Sequence, residues 1–95
     1  MTHIEPVSLR FPLGHVYVTA NADRTLGLID IGNAIARHAE CDWGDVSAED
    51  RESNDRALED GSRLFSVYHT GGGTKFWIIT EADRSVTTVL LPEDY

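Results

Sequence analysis

The residues His38-Ala39-Glu40-Cys41-Asp42 place an imidazole, a thiol and two carboxylates within one short stretch. Read as a metal site, they supply one cysteine and one histidine. A closed zinc site needs four good ligands, usually in two pairs, and no second pair occurs. His3, His15 and His69 stand far off in the chain. Read as a thiol nucleophile, Cys41 would need an electropositive setting to form thiolate, whereas its neighbours are acidic. The expectation is a histidine near a helix end and a small, half-buried cysteine, with no metal and no cofactor. A second polar cluster, Thr80-Glu81-Ala82-Asp83-Arg84-Ser85, puts two carboxylates and an arginine in one turn. Such a set can do acid–base work or grip an anion. It can equally be a salt-bridged turn, with Glu81 facing Arg63 across a hairpin and Asp83 capping its own turn. The third candidate, Asp42-Trp43-Gly44-Asp45, joins two predicted helices. Trp43 either plugs the edge of the core or anchors a partner. Gly71-Gly72-Gly73 lacks the strand–loop–helix setting and the lysine of a phosphate-binding loop, and reads as a turn.

Charge narrows the partners. The 95 residues carry 16 acids against 8 bases, a net charge of −8. Nine acids and two bases fall between Glu40 and Asp60, a net of −7, which leaves −1 for everything else. Lys75 is the chain's one lysine. Phosphate backbones are held by clustered Lys and Arg, so direct nucleic-acid binding is not expected. An acidic segment instead steers a basic protein partner, although an exposed acidic helix also serves solubility alone. The candidate partner-binding residues are therefore Trp43, Asp45, Glu49, Glu52, Asp55 and Glu59, with Glu81, Asp83 and Arg84 added from the polar turn. No apolar run approaches the roughly 18 residues that span a bilayer. Met1-Thr2-His3-Ile4-Glu5-Pro6 has no basic start followed by an apolar stretch, so no signal peptide and no membrane partner are expected. A lone cysteine fits a reducing compartment, and the expected location is cytoplasmic.

The elements that must hold these residues fit one α+β domain over residues 1–95. Residues 1–14 are punctuated by Pro6, Pro12 and Gly14 and read as irregular. Residues 15–61 read as a short strand, His15–Thr19, followed by helices. Asn21-Ala22-Asp23 can cap a short helix to about Leu28, and Asp30 can cap another over Ile31–Glu40, with Ile31, Ile35, His38 and Ala39 on one stripe. Ser47 with Asp50 three residues on, and Gly61 after Asp60, bracket a third helix with almost nothing apolar to bury. Residues 62–92 read as a β-meander: Arg63–His69 and Thr74–Thr80 around Gly72, then Val86–Leu91, ended by Pro92. The expected fold is a small antiparallel β-meander of about three or four strands packed against two or three short helices. With the hairpin centred on Gly72, one face gathers Phe65, Val67, Trp77, Ile79, Val89 and Leu91. The other gathers Leu64, Tyr68, Phe76, Ile78, Val86 and Leu90. Both are apolar, so the second face is expected to meet the N-terminal segment, another subunit or a partner.

The segments Phe11-Pro12-Leu13-Gly14, Asp42-Trp43-Gly44-Asp45, Trp77–Thr88 and Leu91-Pro92-Glu93-Asp94-Tyr95 resemble a family of short bacterial proteins from plasmids and integrative elements. Its members are labelled "plasmid-related protein" or "type I restriction endonuclease subunit M". The resemblance covers roughly Phe11 to Tyr95, and Cys41 stands where those proteins often have glycine. A modification methyltransferase needs a doubly wound domain with a glycine-rich loop after its first strand. This chain has neither that length nor that unit, so the resemblance implies company with restriction genes rather than methyl transfer. That setting, taken with the −7 acidic segment and the two apolar sheet faces, gives the expectation of a non-enzymatic, protein-binding accessory factor of a mobile genetic element that modulates host defence through an acidic surface. The alternatives are a small enzyme or anion-binding protein centred on Glu81, Asp83 and Arg84, and a structural subunit or homo-oligomer.

Overall fold

The computed structural model describes residues 10–95; the first nine residues of the expected irregular segment lie outside them. The chain runs β1 (His15–Val18), α1 (Ala20–Thr25), α2 (Leu28–Ala39), α3 (Ala48–Asp60), β2 (Leu64–His69), β3 (Lys75–Thr80), β4 (Val86–Leu90) and a 3₁₀ turn, Pro92–Asp94. The four strands form one sheet in the order β1-β4-β3-β2. The α+β expectation holds, but the sheet is mixed: β2, β3 and β4 are antiparallel, and β1 adds to β4 in parallel. A parallel neighbour needs a crossover, and the helices together with β2 and β3 supply it.

Local chemistry sets most boundaries. Thr19, rather than Asn21, caps α1 by accepting from the Ala22 amide, and that helix stops at Thr25. α2 begins at Leu28 behind Gly27, three residues before the expected start, so Asp30 lies in its first turn instead of capping it. There its carboxylate still faces the positive end of the helix dipole. Ser47 accepts from the Asp50 amide, and Gly61 closes α3 at φ 79°, as the sequence predicts. α2 ends in a Schellman turn. The Asp42 amide donates to the Arg37 carbonyl (2.9 Å) and the Cys41 amide to that of His38 (3.0 Å). This geometry puts Cys41 at φ 66°, a conformation that favours glycine.

The β2–β3 register is centred on Gly72, pairing Phe65 with Ile79 and Val67 with Trp77. β4 corrects the expected faces. Val89 pairs with Ile78 and Leu90 with Trp77, so Val89 lies on the face of Ile78, and Leu90 on that of Trp77. A shift of one residue exchanges the faces of an entire strand, and the turn over residues 81–85 is what sets it. One face thus carries Leu64, Ser66, Tyr68, Phe76, Ile78, Thr80, Thr87 and Val89, all buried. α1, α2 and the link between them cover part of it with Ala22, Leu26, Ile31 and Ala34. A second cluster joins Phe11, Trp43, Ala57 and Leu64. On the opposite face Phe65 and Trp77 are half-buried, and Tyr95 packs edge-on to Trp77.

β2 is the sheet's outer strand on one side, and its outward backbone groups are all but consumed. The Asn54 side chain donates to the Phe65 carbonyl (2.7 Å) and accepts from the Phe65 amide (3.0 Å). Two residues further along the strand, the Val67 amide donates to the Trp43 carbonyl, and the Val67 carbonyl accepts from the Asp45 amide. Gly44 forms the bridge between them. It must be glycine: φ is 73°, and an added Cβ would stand 2.0 Å from the Val67 carbonyl oxygen.

Two stability outcomes are expected. Asn54→Ala leaves a part-buried amide and carbonyl unpaired and should cost about 2 kcal/mol in urea denaturation; a loss under about 0.5 kcal/mol would show that water replaces the side chain. Cys41→Gly relieves the αL residue and should match or exceed the parent's stability, whereas Cys41→Val should lose about 1–2 kcal/mol.

Candidate protein-docking surface

α3 carries the charge, and its wheel explains how. Only Asn54 and Ala57 are buried, which turns Glu52, Asp55 and Glu59 outward along one stripe, with Glu49 beside it. Neighbours of like charge at i, i+3 and i, i+4 repel by a few tenths of a kcal/mol each. Among the described residues, no Arg or Lys forms an ion pair with Glu49, Glu52 or Glu59. Asp55 is exposed but held, accepting from the Trp43 indole nitrogen at 3.3 Å. Asp45 accepts from His69 at 2.7 Å, and both remain exposed.

Between α3 and the open face of the sheet lies a groove of about 490 Å³. Phe65, Trp77 and Ile79 form its floor, Asp50, Ser53 and Asn54 one wall, and Arg63 and Tyr95 the other side. Phe65 and Trp77 meet edge to face at 5.2 Å, and the Arg63 guanidinium donates to the Tyr95 hydroxyl at 2.8 Å. Sequence reasoning missed this groove. Its floor was legible as an apolar strand face, but the contributions of Ser53 and Tyr95 depend on how helix and terminus return to the sheet.

Trp43 is a correction. It is 1% exposed, wedged against Phe11 and His38, and cannot anchor a partner. The turn after β3 also differs from a charged site. Arg84, at φ 61°, spends its guanidinium on four backbone carbonyls: Ala57, Ser62, Glu81 and Ala82. It thereby closes the C-terminal end of α3 onto the hairpin. Asp83 accepts from the Ser85 amide and hydroxyl, as a self-capped turn predicts, and these bonds hold its carboxyl below the usual range. Glu81 is exposed, and Arg63 turns to Tyr95 rather than to Glu81. The three side chains do not converge.

A different polar set does converge, inside the core. His38, Ser66, Thr80 and Thr87 are fully buried. Thr87 donates to the Leu13 carbonyl (2.6 Å), so its oxygen must accept from Thr80 (2.8 Å). The Thr80 oxygen then accepts from His38 Nε2–H (2.9 Å), which leaves Nδ1 to accept from the Ser66 hydroxyl (2.6 Å). Each hydroxyl has one proton, and the direction of every bond follows from that. Ser66 and His38 have the spacing of a nucleophile and its base, but no substrate reaches atoms sealed under α2. Burial, and secondarily the Arg84 charge, lowers the His38 pKa to about 4. Cys41 has its thiol pKa raised, first by burial, with Asp55 adding to it against the opposing Arg10, so it is not an activated nucleophile. Among the described residues no group of three or more His, Cys, Asp or Glu is placed to hold a metal ion. No helix among them is long and apolar enough to cross a membrane.

No family model matches the chain, and neither a curated protein nor a solved structure resembles it closely enough to count as a match.

A pH outcome follows from His38. Its folded pKa lies below its unfolded value of 6.5, so the unfolded chain binds the extra proton. Stability should be full above pH 6.5 and fall as pH drops toward 4, by roughly 3 kcal/mol in all. Denaturant midpoints of the parent and of His38→Leu between pH 7.5 and 4 check this. The parent should lose stability relative to the variant, and parallel curves would contradict it.

Proposed function

We propose that this chain is a non-enzymatic protein-binding accessory factor of a mobile genetic element, and that it engages a basic segment of a host-defence protein such as a restriction enzyme. The observation that carries this reading is the row Glu49, Glu52 and Glu59, with no Arg or Lys among the described residues paired to it, on the outer side of a helix whose other side, through Asp50, Ser53 and Asn54, walls a groove floored by Phe65 and Trp77. Carboxylates that their own chain does not neutralise attract Lys and Arg from outside and speed encounter. A segment that passes from these acids around α3 places an apolar anchor on the aromatic floor, and aromatic pockets are where binding energy concentrates. A row of acids also mimics the charge of a nucleic-acid backbone, which a nuclease binds in a basic groove. The mobile-element setting rests on the resemblance of the Trp77–Thr88 run and its companion segments. A small enzyme centred on Glu81, Asp83 and Arg84 draws no support from side chains that are spent on the backbone or splayed to solvent.

The test is capture from a bacterial lysate by the tagged chain, compared with Glu49→Gln/Glu52→Gln/Glu59→Gln. Among the described residues these side chains make no hydrogen bond, so the triple variant should keep its stability within about 0.5 kcal/mol. A partner held at low salt should be lost both at high salt and by the variant, and expressing the parent chain should change the plating efficiency of a restricted phage. Capture that neither salt nor neutralisation alters, with unchanged plating, would overturn the proposal.

A further inference from the structure

β1 is the sheet's other outer strand, and among the described residues its edge is open where that of β2 is closed. The His15 amide donates to the Ser85 carbonyl, and the Thr19 amide to that of Val89. With His15 paired to Val86 and Tyr17 to Thr88, the parallel ladder uses the backbone of His15, Tyr17 and Thr19. The N–H and C=O of Val16 and Val18 therefore point away from the sheet. Among the described residues nothing pairs with them. The strand is uncharged apart from His15 and has no proline, lysine or bulge, the usual guards of an edge. Its side chains are exposed as well: Val16 is 42% and Tyr17 56% accessible.

We infer that a second copy of this chain pairs along β1, in antiparallel, to give a continuous eight-stranded sheet. The strand is complementary to itself about Tyr17. Val16 then exchanges both of its backbone bonds with Val18 of the second copy, and Val18 does the same with Val16. Tyr17 faces its own counterpart as the closer, non-hydrogen-bonded pair, where aromatic side chains gain most from contact. The two-fold operation closes on itself, so the assembly stops at two. Charge favours this edge over any other. A net of −7 lies between Glu40 and Asp60, and α3 stands against the outer side of β2. Three strand spacings, about 14 Å, separate β2 from β1. Pairing through β1 therefore puts the two acidic helices at opposite ends of the joined sheet, well beyond the screening length of about 8 Å in physiological salt. Pairing through β2 is blocked by Asn54 and by the Trp43–Asp45 segment. The contact is short for a stable interface, so association is expected in the micromolar range and not below it.

Sedimentation equilibrium of the full chain from about 10 µM to about 1 mM should show a monomer passing to a dimer. Val16→Pro removes an outward N–H that the β4 ladder does not use, and should weaken the dimer at least about tenfold. Val16→Lys makes no demand on the backbone and should do the same by guarding the edge, which keeps the test sound if proline perturbs the fold. Hydrogen exchange at the Val16 and Val18 amides should slow as concentration rises. A parent that stays monomeric at about 1 mM overturns the inference. So does a dimer indifferent to both variants. Slow exchange of these amides in the dilute monomer also overturns it, because the edge would then already be filled within one chain.

Discussion

The backbone groups along the outer side of β2 must find partners, and much of this molecule is arranged so that they do. Phe65 and Val67 each present an N–H and a C=O sideways. An asparagine on a helix takes one residue, and three residues of loop take the other. For Asn54 to reach Phe65, α3 must lie along the strand, and that fixes which of its sides is wet. For Trp43 and Asp45 to reach Val67, the chain must leave α2 through a Schellman turn, come within contact of β2 at Gly44, and carry Trp43 into the core. The acidic stripe, the position of the groove and the burial of the tryptophan are thus consequences of closing one edge.

The core beneath α2 is polar by design of the same kind. A histidine, a serine and two threonines are buried together, yet every donor meets an acceptor, and the chain of bonds runs one way to the Leu13 carbonyl. Such a network is satisfied in only one arrangement, so it fixes how α2 sits over β2, β3 and β4. Its chemical likeness to a serine–histidine pair is a matter of distance alone. Access separates a nucleophile from a structural hydroxyl, and here access is denied from both sides.

How much could be read from the sequence depended on whether the signal was local. Ser47, Gly61 and the triple glycine mark their boundaries through short-range chemistry, and α3 and the β2–β3 hairpin fell where these residues put them. The stripe of Ile31, His38 and Ala39 showed the buried side of α2. β4 was different: its alternation reads equally well in either register, and only the turn Asp83–Ser85 decides, so its faces were inverted. The parallel docking of β1 is a long-range event with no mark in His15–Val18. Asn54 left no mark either, since an asparagine in a polar helix looks like one more wet residue. Of the candidate surface, Glu49, Glu52, Asp55 and Glu59 were legible as charge. Trp43 could be read as a core plug or as an anchor, and Arg84 was not legible as a clamp, because both depend on what comes back in space from more than ten residues away.

Arg84 joins matters that sequence keeps apart. Its one cation reaches carbonyls of α3, of the loop behind it and of its own turn, so the end of the acidic helix is fastened by a residue outside it. α3 in turn is what shields the β2 edge, which would otherwise offer itself to any extended chain. The helix richest in acids is therefore also part of the cover on the β2 edge, so loosening Arg84 would free that helix and bare the edge in a single event.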